Sequence, residues 1–115
     1  MPTEPERLNP SRVASERTLL RALCHRCAAP ELQIEILHFA ETQQFRDRQN
    51  EIVFRALRQI AWRDSPDLQS HLAAHLTRLG FPDLDLDALF AGAAPTETDI
   101  RGALDRIAAA RAAKT

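Results

Sequence analysis

The chain has 115 residues, 44% of them hydrophobic and 27% charged, which is the length of a single domain and close to the average composition of soluble globular proteins. Fifteen Lys and Arg against sixteen Asp and Glu give a formal charge of −1, so the chain lacks the strong net basicity of many nucleic-acid binders. No apolar run approaches the roughly 20 residues that span a bilayer, nothing reads as a secretory signal, and two cysteines are too few for a disulfide-stapled miniprotein, so a cytoplasmic home is expected.

Residues 1–9 hold Pro2 and Pro5 among charges without periodicity and read as a disordered lead-in. Residues 10–115 then form a single helical domain. Asn9 or Ser11 can cap a first helix, with Pro10 in the first turn, where a missing N–H costs nothing. Val13, Leu20, Leu23 and Cys27 recur at helical steps and share one face. Pro30 restarts the chain as a second helix with Leu32, Ile36 and Phe39 in its stripe. Asp47 is a candidate cap for a third, carrying Val53, Leu57 and Ile60, broadened by Phe54 and Ala61.

The fourth helix has the clearest punctuation. Ser65 is its expected cap, Pro66 its first residue and Asp67 an acid suited to the positive end of the helix dipole. Leu68, Leu72, Leu76 and Leu79 form the stripe, Gly80 the left-handed terminator, and Pro82 follows. A short fifth turn or helix falls near Leu84, Leu86, Leu89 and Phe90. Thr96 with Asp99 resembles a capping box for a last helix bearing Ile100, Leu104 and Ile107. Leu84 to Asp87 alternate like a strand, but four residues without a partner do not make a sheet. The expected fold is all-α, a compact antiparallel bundle of about six short helices. Its predicted core is Leu20, Leu23, Leu32, Ile36, Val53, Phe54, Leu57, Leu72, Leu76 and Ile100.

Several chemistries are absent. Lys114 is the only lysine, so no GxxxxGK[ST] phosphate loop can be written, and three glycines leave no GxGxxG turn. Cys24 and Cys27 followed by His71 and His75 imitate a zinc pattern, since each pair falls on one helical face. The long gap between the pairs, and a core able to fold without metal, favour a reading with no metal and no cofactor. Arg46, Arg48, Arg55, Arg58 and Arg63 cluster around the third helix and suit phosphate recognition. The interspersed Asp47, Glu51 and Asp64 favour a salt-bridged surface instead, so direct nucleic-acid contact is not expected. Asp83, Asp85 and Asp87 read as a solvated loop. No nucleophile, base and orienting group can be placed together, and no catalytic residue is assigned.

Three stretches carry a resemblance: Glu16 to Leu23, Phe45 to Phe54, and Ser65-Pro66 through Leu72 and Leu76 to Gly80. Together they resemble the helical domain at the amino end of DnaB-type replicative helicases and the related helicase-binding domain at the carboxyl end of DnaG-type primases. In the helicase family a phenylalanine precedes a polar turn and a helix start, as Phe45 and Val53-Phe54 do here. Departures are Phe81-Pro82-Asp83-Leu84 in place of a paired-glycine turn, and Gln49-Asn50 in place of proline and histidine. The resemblance implies a non-catalytic interaction domain of the replication machinery, a helicase–primase coupler of the primosome. Its partner would be a replicative helicase or a primase, with self-association also possible and no membrane involved.

Interface energy concentrates in arginine and aromatic side chains, so the expected partner-binding residues are Arg78, Arg101 and Arg106, with Phe81 and Phe90 as apolar anchors unless those two rings close the core. The alternatives are a small metal- or nucleic-acid-binding regulator, or a phage or secretion accessory adaptor.

Overall fold

The structure, a computed structural model, describes residues 10–42, 45–60, 62 and 66–113. Six helices occupy them: α1 (Pro10–His25), α2 (Pro30–Thr42), α3 (Arg48–Gln59), α4 (Leu68–Leu79), α5 (Asp87–Phe90) and α6 (Glu97–Ala113). No strand occurs among these residues, so the fold is all-α; of the Leu84–Asp87 alternation, Leu84 to Leu86 form a loop and Asp87 opens α5. The lead-in at 1–9, Ala61, Arg63 and Ser65 lie outside the described residues.

Helix α1 is the central strut, packing on α6, α5 and α3, while α4 packs on α3. All ten predicted core residues are buried. Leu19, Ala103 and Ile107 join them, as do the aromatic rings of Phe39, Phe45 and Trp62. Each large apolar side chain removed from water contributes about 1.5–3 kcal/mol. The Phe45 ring meets Phe39 edge-on at 5.3 Å and Phe54 at 5.1 Å. These are separations at which aromatic pairs attract beyond their area alone.

Several helix ends follow the sequence signals. The Asp47 carboxylate accepts from the Asn50 N–H (3.1 Å) and starts α3. Gly80 ends α4 at φ 99°. Around it the Phe81 N–H donates to the Leu76 carbonyl (2.8 Å) and the Gly80 N–H to Thr77 (3.0 Å), the paired bonds of a Schellman stop. Thr96 and Asp99 cap α6 reciprocally, Asp99 N–H to Thr96 Oγ1 (3.1 Å) and Thr96 N–H to Asp99 Oδ2 (3.0 Å).

Other expectations are corrected. Helix α4 begins at Leu68, not Pro66: Pro66 and Asp67 form a turn that delivers Leu68 into the core, and the Asp67 carbonyl already accepts from the His71 N–H (3.0 Å). Cys27 does not extend the α1 stripe, because α1 stops at His25 and Cys27 is exposed. The stop has the same bonding as at Gly80, Cys27 N–H to Ala22 and Arg26 N–H to Leu23. Here Arg26 takes the left-handed position at φ 52°, a conformation that costs a side-chain-bearing residue about 1–2 kcal/mol. Leu79 lies on the α4 stripe yet is 41% exposed, while Leu72 and Leu76 on the same stripe are buried. In α6 the fully inward position beside Ile100 is Ala103, and Leu104 is half-buried.

One buried charge ties the chain together. Glu16 on α1 has no exposure to water. Its carboxylate accepts from Arg12 Nε (2.6 Å), the Arg46 N–H (2.8 Å), the Asp47 N–H (3.1 Å) and Asn50 Nδ2 (3.2 Å). Two of these donors are backbone groups at the mouth of α3, otherwise unsatisfied at a helix start, so Glu16 fixes where α3 begins relative to α1. Arg12 also lies over the Phe39 ring, 5.7 Å from its centroid.

Candidate functional site

With α3 anchored by Glu16 and Asp47, its outer face and the neighbouring end of α2 enclose an open cleft of about 350 Å³ lined by Ala40, Phe45, Glu51, Phe54, Arg55, Arg58 and Gln59. The floor is apolar and rigid, because Phe45 and Phe54 are held in the aromatic cluster. The rim is cationic. Arg58 lies over the Phe54 ring, 5.8 Å from its centroid, and reaches Glu41 only at 3.9 Å; Arg55 meets Glu51 at 3.3 Å. Both pairs are at least two-fifths exposed on either side. Exposed pairs of this kind contribute about 0–1 kcal/mol, and each fork keeps most of its five donors unused. At one end Gln59 Oε1 accepts from His75 Nε2 (2.6 Å), leaving His75 Nδ1 facing Arg78 Nη2 at 3.5 Å.

The residues expected to bind a partner are dispersed. Arg78 is exposed on α4 beside His75. Phe81 and Phe90 are half-buried and pack against the core, each leaving part of its ring to solvent. Arg101 binds Glu97 (3.0 Å) and reaches across to Glu35 on α2 (3.4 Å); the Glu97 hydrogen bond first, then the charge of Glu35, holds its guanidinium above the ordinary arginine value. Arg106 donates Nε to the buried Ser15 hydroxyl (3.1 Å), tying α6 to α1. No hydrogen bond, ion pair or ring contact joins Arg78 or Phe81 to Arg101 or Arg106 among the described residues. Of the arginine cluster, Arg46, Arg48, Arg55 and Arg58 are all exposed.

The cysteine and histidine pairs are not assembled into one site. Among the described residues no three His, Cys, Asp or Glu side chains are grouped so as to hold a metal ion. Cys24 is buried, and loss of water pushes its thiol up to about 12 despite the opposing charges of Arg21 and Arg26. Cys27 is exposed and donates Sγ–H to the Pro95 carbonyl (3.3 Å). No described helix is long and apolar enough to cross a membrane.

Sequence reasoning passed over two features. One is the pairing of the α3 arginines with an aromatic floor, signalled by phenylalanines at both ends of the Phe45–Phe54 stretch. The other is Arg21, whose guanidinium donates to the carbonyls of Ala88 (2.9 Å), Ala91 (2.9 Å) and Ala93 (2.6 Å), clasping α5 and the loop after it to α1. Comparison of the chain with protein-family models, curated proteins and solved structures returns no match.

Proposed function

We propose that this chain is a non-catalytic protein-interaction domain of the replication machinery, docking a replicative helicase or a primase through the cleft on α3. The observation that carries the reading is the cleft itself. A preorganised phenylalanine floor under exposed arginines has the composition in which interface energy concentrates, and it falls in the Phe45–Phe54 stretch that resembles the helicase and primase domains. Helix α1 supplies the rigidity, since Glu16 sets the position of α3 and the aromatic cluster locks the floor. Rigid presentation lowers the ordering cost of association.

The test is capture of purified DnaB-type helicase and DnaG-type primase on the immobilised chain, with size-exclusion and light scattering of the mixtures. Co-migration with one of them is expected, weakened about tenfold or more by the double reversal Arg55→Glu and Arg58→Glu, because charge pairs at an interface are sensitive to inversion. Reversal of Arg78 and Arg101 in the same assay probes the surface first expected from the sequence, and the cleft reading expects binding to survive it. Failure to bind either partner sinks the replication assignment. Retention of a metal ion on the purified chain, or salt-sensitive binding to DNA alone, favours the regulator reading instead.

A further inference from the structure

The chain is nearly neutral overall, yet its charges are segregated along it. From Phe45 to Asp64 there are five arginines against Asp47, Glu51 and Asp64; from Gly80 to Ile100 there are five acids and no base. Three of those acids are engaged at home: Asp87 accepts from Gln69 (2.8 Å), Glu97 binds Arg101, and Asp99 caps α6. Asp83 and Asp85 are exposed and make no hydrogen bond or ion pair among the described residues. Between them Leu84 is half-buried, so the segment presents two free carboxylates flanking a partly open apolar side chain. The cleft presents the complement, two under-used guanidinium groups above an apolar floor.

The two surfaces cannot meet within one molecule. Glu51, Phe54, Arg55 and Arg58 line the cleft on one side of α3, while Gln49, Asn50 and Val53 line a smaller pocket with Leu84 and Asp85. At 3.6 residues per turn the centres of these two sets lie roughly 145° apart around the helix axis. Complementary patches on opposite sides of a molecule define a heterologous contact, which repeats head to tail and does not close as a two-fold pair. We infer that the cleft receives the Asp83–Asp85 segment of a second copy of this chain, so that copies associate head to tail. The inference rests on the reading of the cleft as a docking site and makes self-association compete with partner binding there. One loop in one cleft buries less than the ~1,200 Å² of a stable interface, so the association is weak. Being carried by exposed charges, it is also salt-dependent.

Sedimentation velocity of the full chain, from about 1 µM to about 1 mM at about 50 and 500 mM salt, tests this. At low salt the average mass is expected to climb with concentration above the 12.9 kDa of one chain, without a plateau at twice that value, and to fall back at high salt. Arg55→Glu with Arg58→Glu, and separately Asp83→Arg with Asp85→Arg, are each expected to stay monomeric with unchanged helical circular dichroism. Mixing the two variants, or combining all four changes in one chain, is expected to restore association, because opposite charges again face each other. A monomer at every wild-type concentration overturns the inference, as does a closed dimer or association indifferent to both reversals. If the chain stays monomeric while its cleft binds an added acidic peptide, the occupant is another protein and self-association is wrong. Helicase or primase capture that persists while self-association fails overturns only the present inference and leaves the proposed function standing.

Discussion

Glu16 sits at 0% exposure with four donors converging on it, an arrangement in which a buried charge is tolerable because its desolvation is offset by hydrogen bonds. Removing the carboxylate takes one acceptor from the Arg12 guanidinium and the acceptor of the Arg46 and Asp47 amides. Glu16→Ala is therefore expected to lower stability by about 3–5 kcal/mol, read from the urea midpoint. Nothing in the sequence marks this residue, since an acid in the middle of a helix reads as surface until a second helix start is brought against it. The cysteines are a second residue-scale case. Iodoacetamide at pH 8 is expected to label Cys27 in the folded chain and Cys24 only after denaturation, as seen by mass spectrometry, because the thiolate is the reactive form. Cys24 keeps its proton in the folded state to about pH 12, whereas the unfolded thiol loses it from about 9. The unfolded chain then binds fewer protons, so stability is complete below pH 9 and declines as pH rises from there toward 12. Cys24→Ala is expected to flatten that decline.

At the scale of elements, the ends of the helices decide which signals were legible. The Thr96–Asp99 box could be read from four letters because its bonds are local. Its two hydrogen bonds, backbone first, hold the Asp99 carboxyl below its ordinary value, so this contribution is present above about pH 4 and is lost as pH falls below it. Thr96→Ala is expected to cost about 1 kcal/mol and to raise the Asp99 carboxyl toward its ordinary value, measurable by NMR titration. The end of α1 was not legible. Its left-handed residue is Arg26 where a glycine would have announced the stop, so the stripe ran on to Cys27. Equally hidden was the role of Arg21, because the carbonyls it clasps lie some seventy residues away. Arg21→Ala frees three acceptors that water can partly satisfy; a loss of about 1–2 kcal/mol is expected, with faster amide exchange confined to α5 and the loop before α6.

For the whole molecule, α1 is the element on which α3, α5 and α6 all pack, so the core behaves as one cooperative unit. Leu57→Ala, at a fully buried position on α3, is expected to cost about 2–5 kcal/mol and to shift the urea midpoint with little change in slope. The apolar stripes sufficed to place ten core residues and the all-helical class, because helical periodicity is a local property that packing merely uses. They sufficed less well at the last turn of a helix, where Leu79 stays exposed, or where a small residue takes the inner position, as at Ala103. The arginines of α3 were visible as a cluster, yet read as a neutralised surface because acids are interspersed with them. Spacing along the chain does not say which charges are desolvated, which are paired at 3.9 Å, or what lies beneath them. Only the tertiary structure put Phe54 under Arg58, brought Phe45 and Arg55 into the same cleft, and set Leu84 and Asp85 on the other side of α3. Those relations depend on contacts between residues distant in sequence, and one-dimensional periodicity carries no information about them.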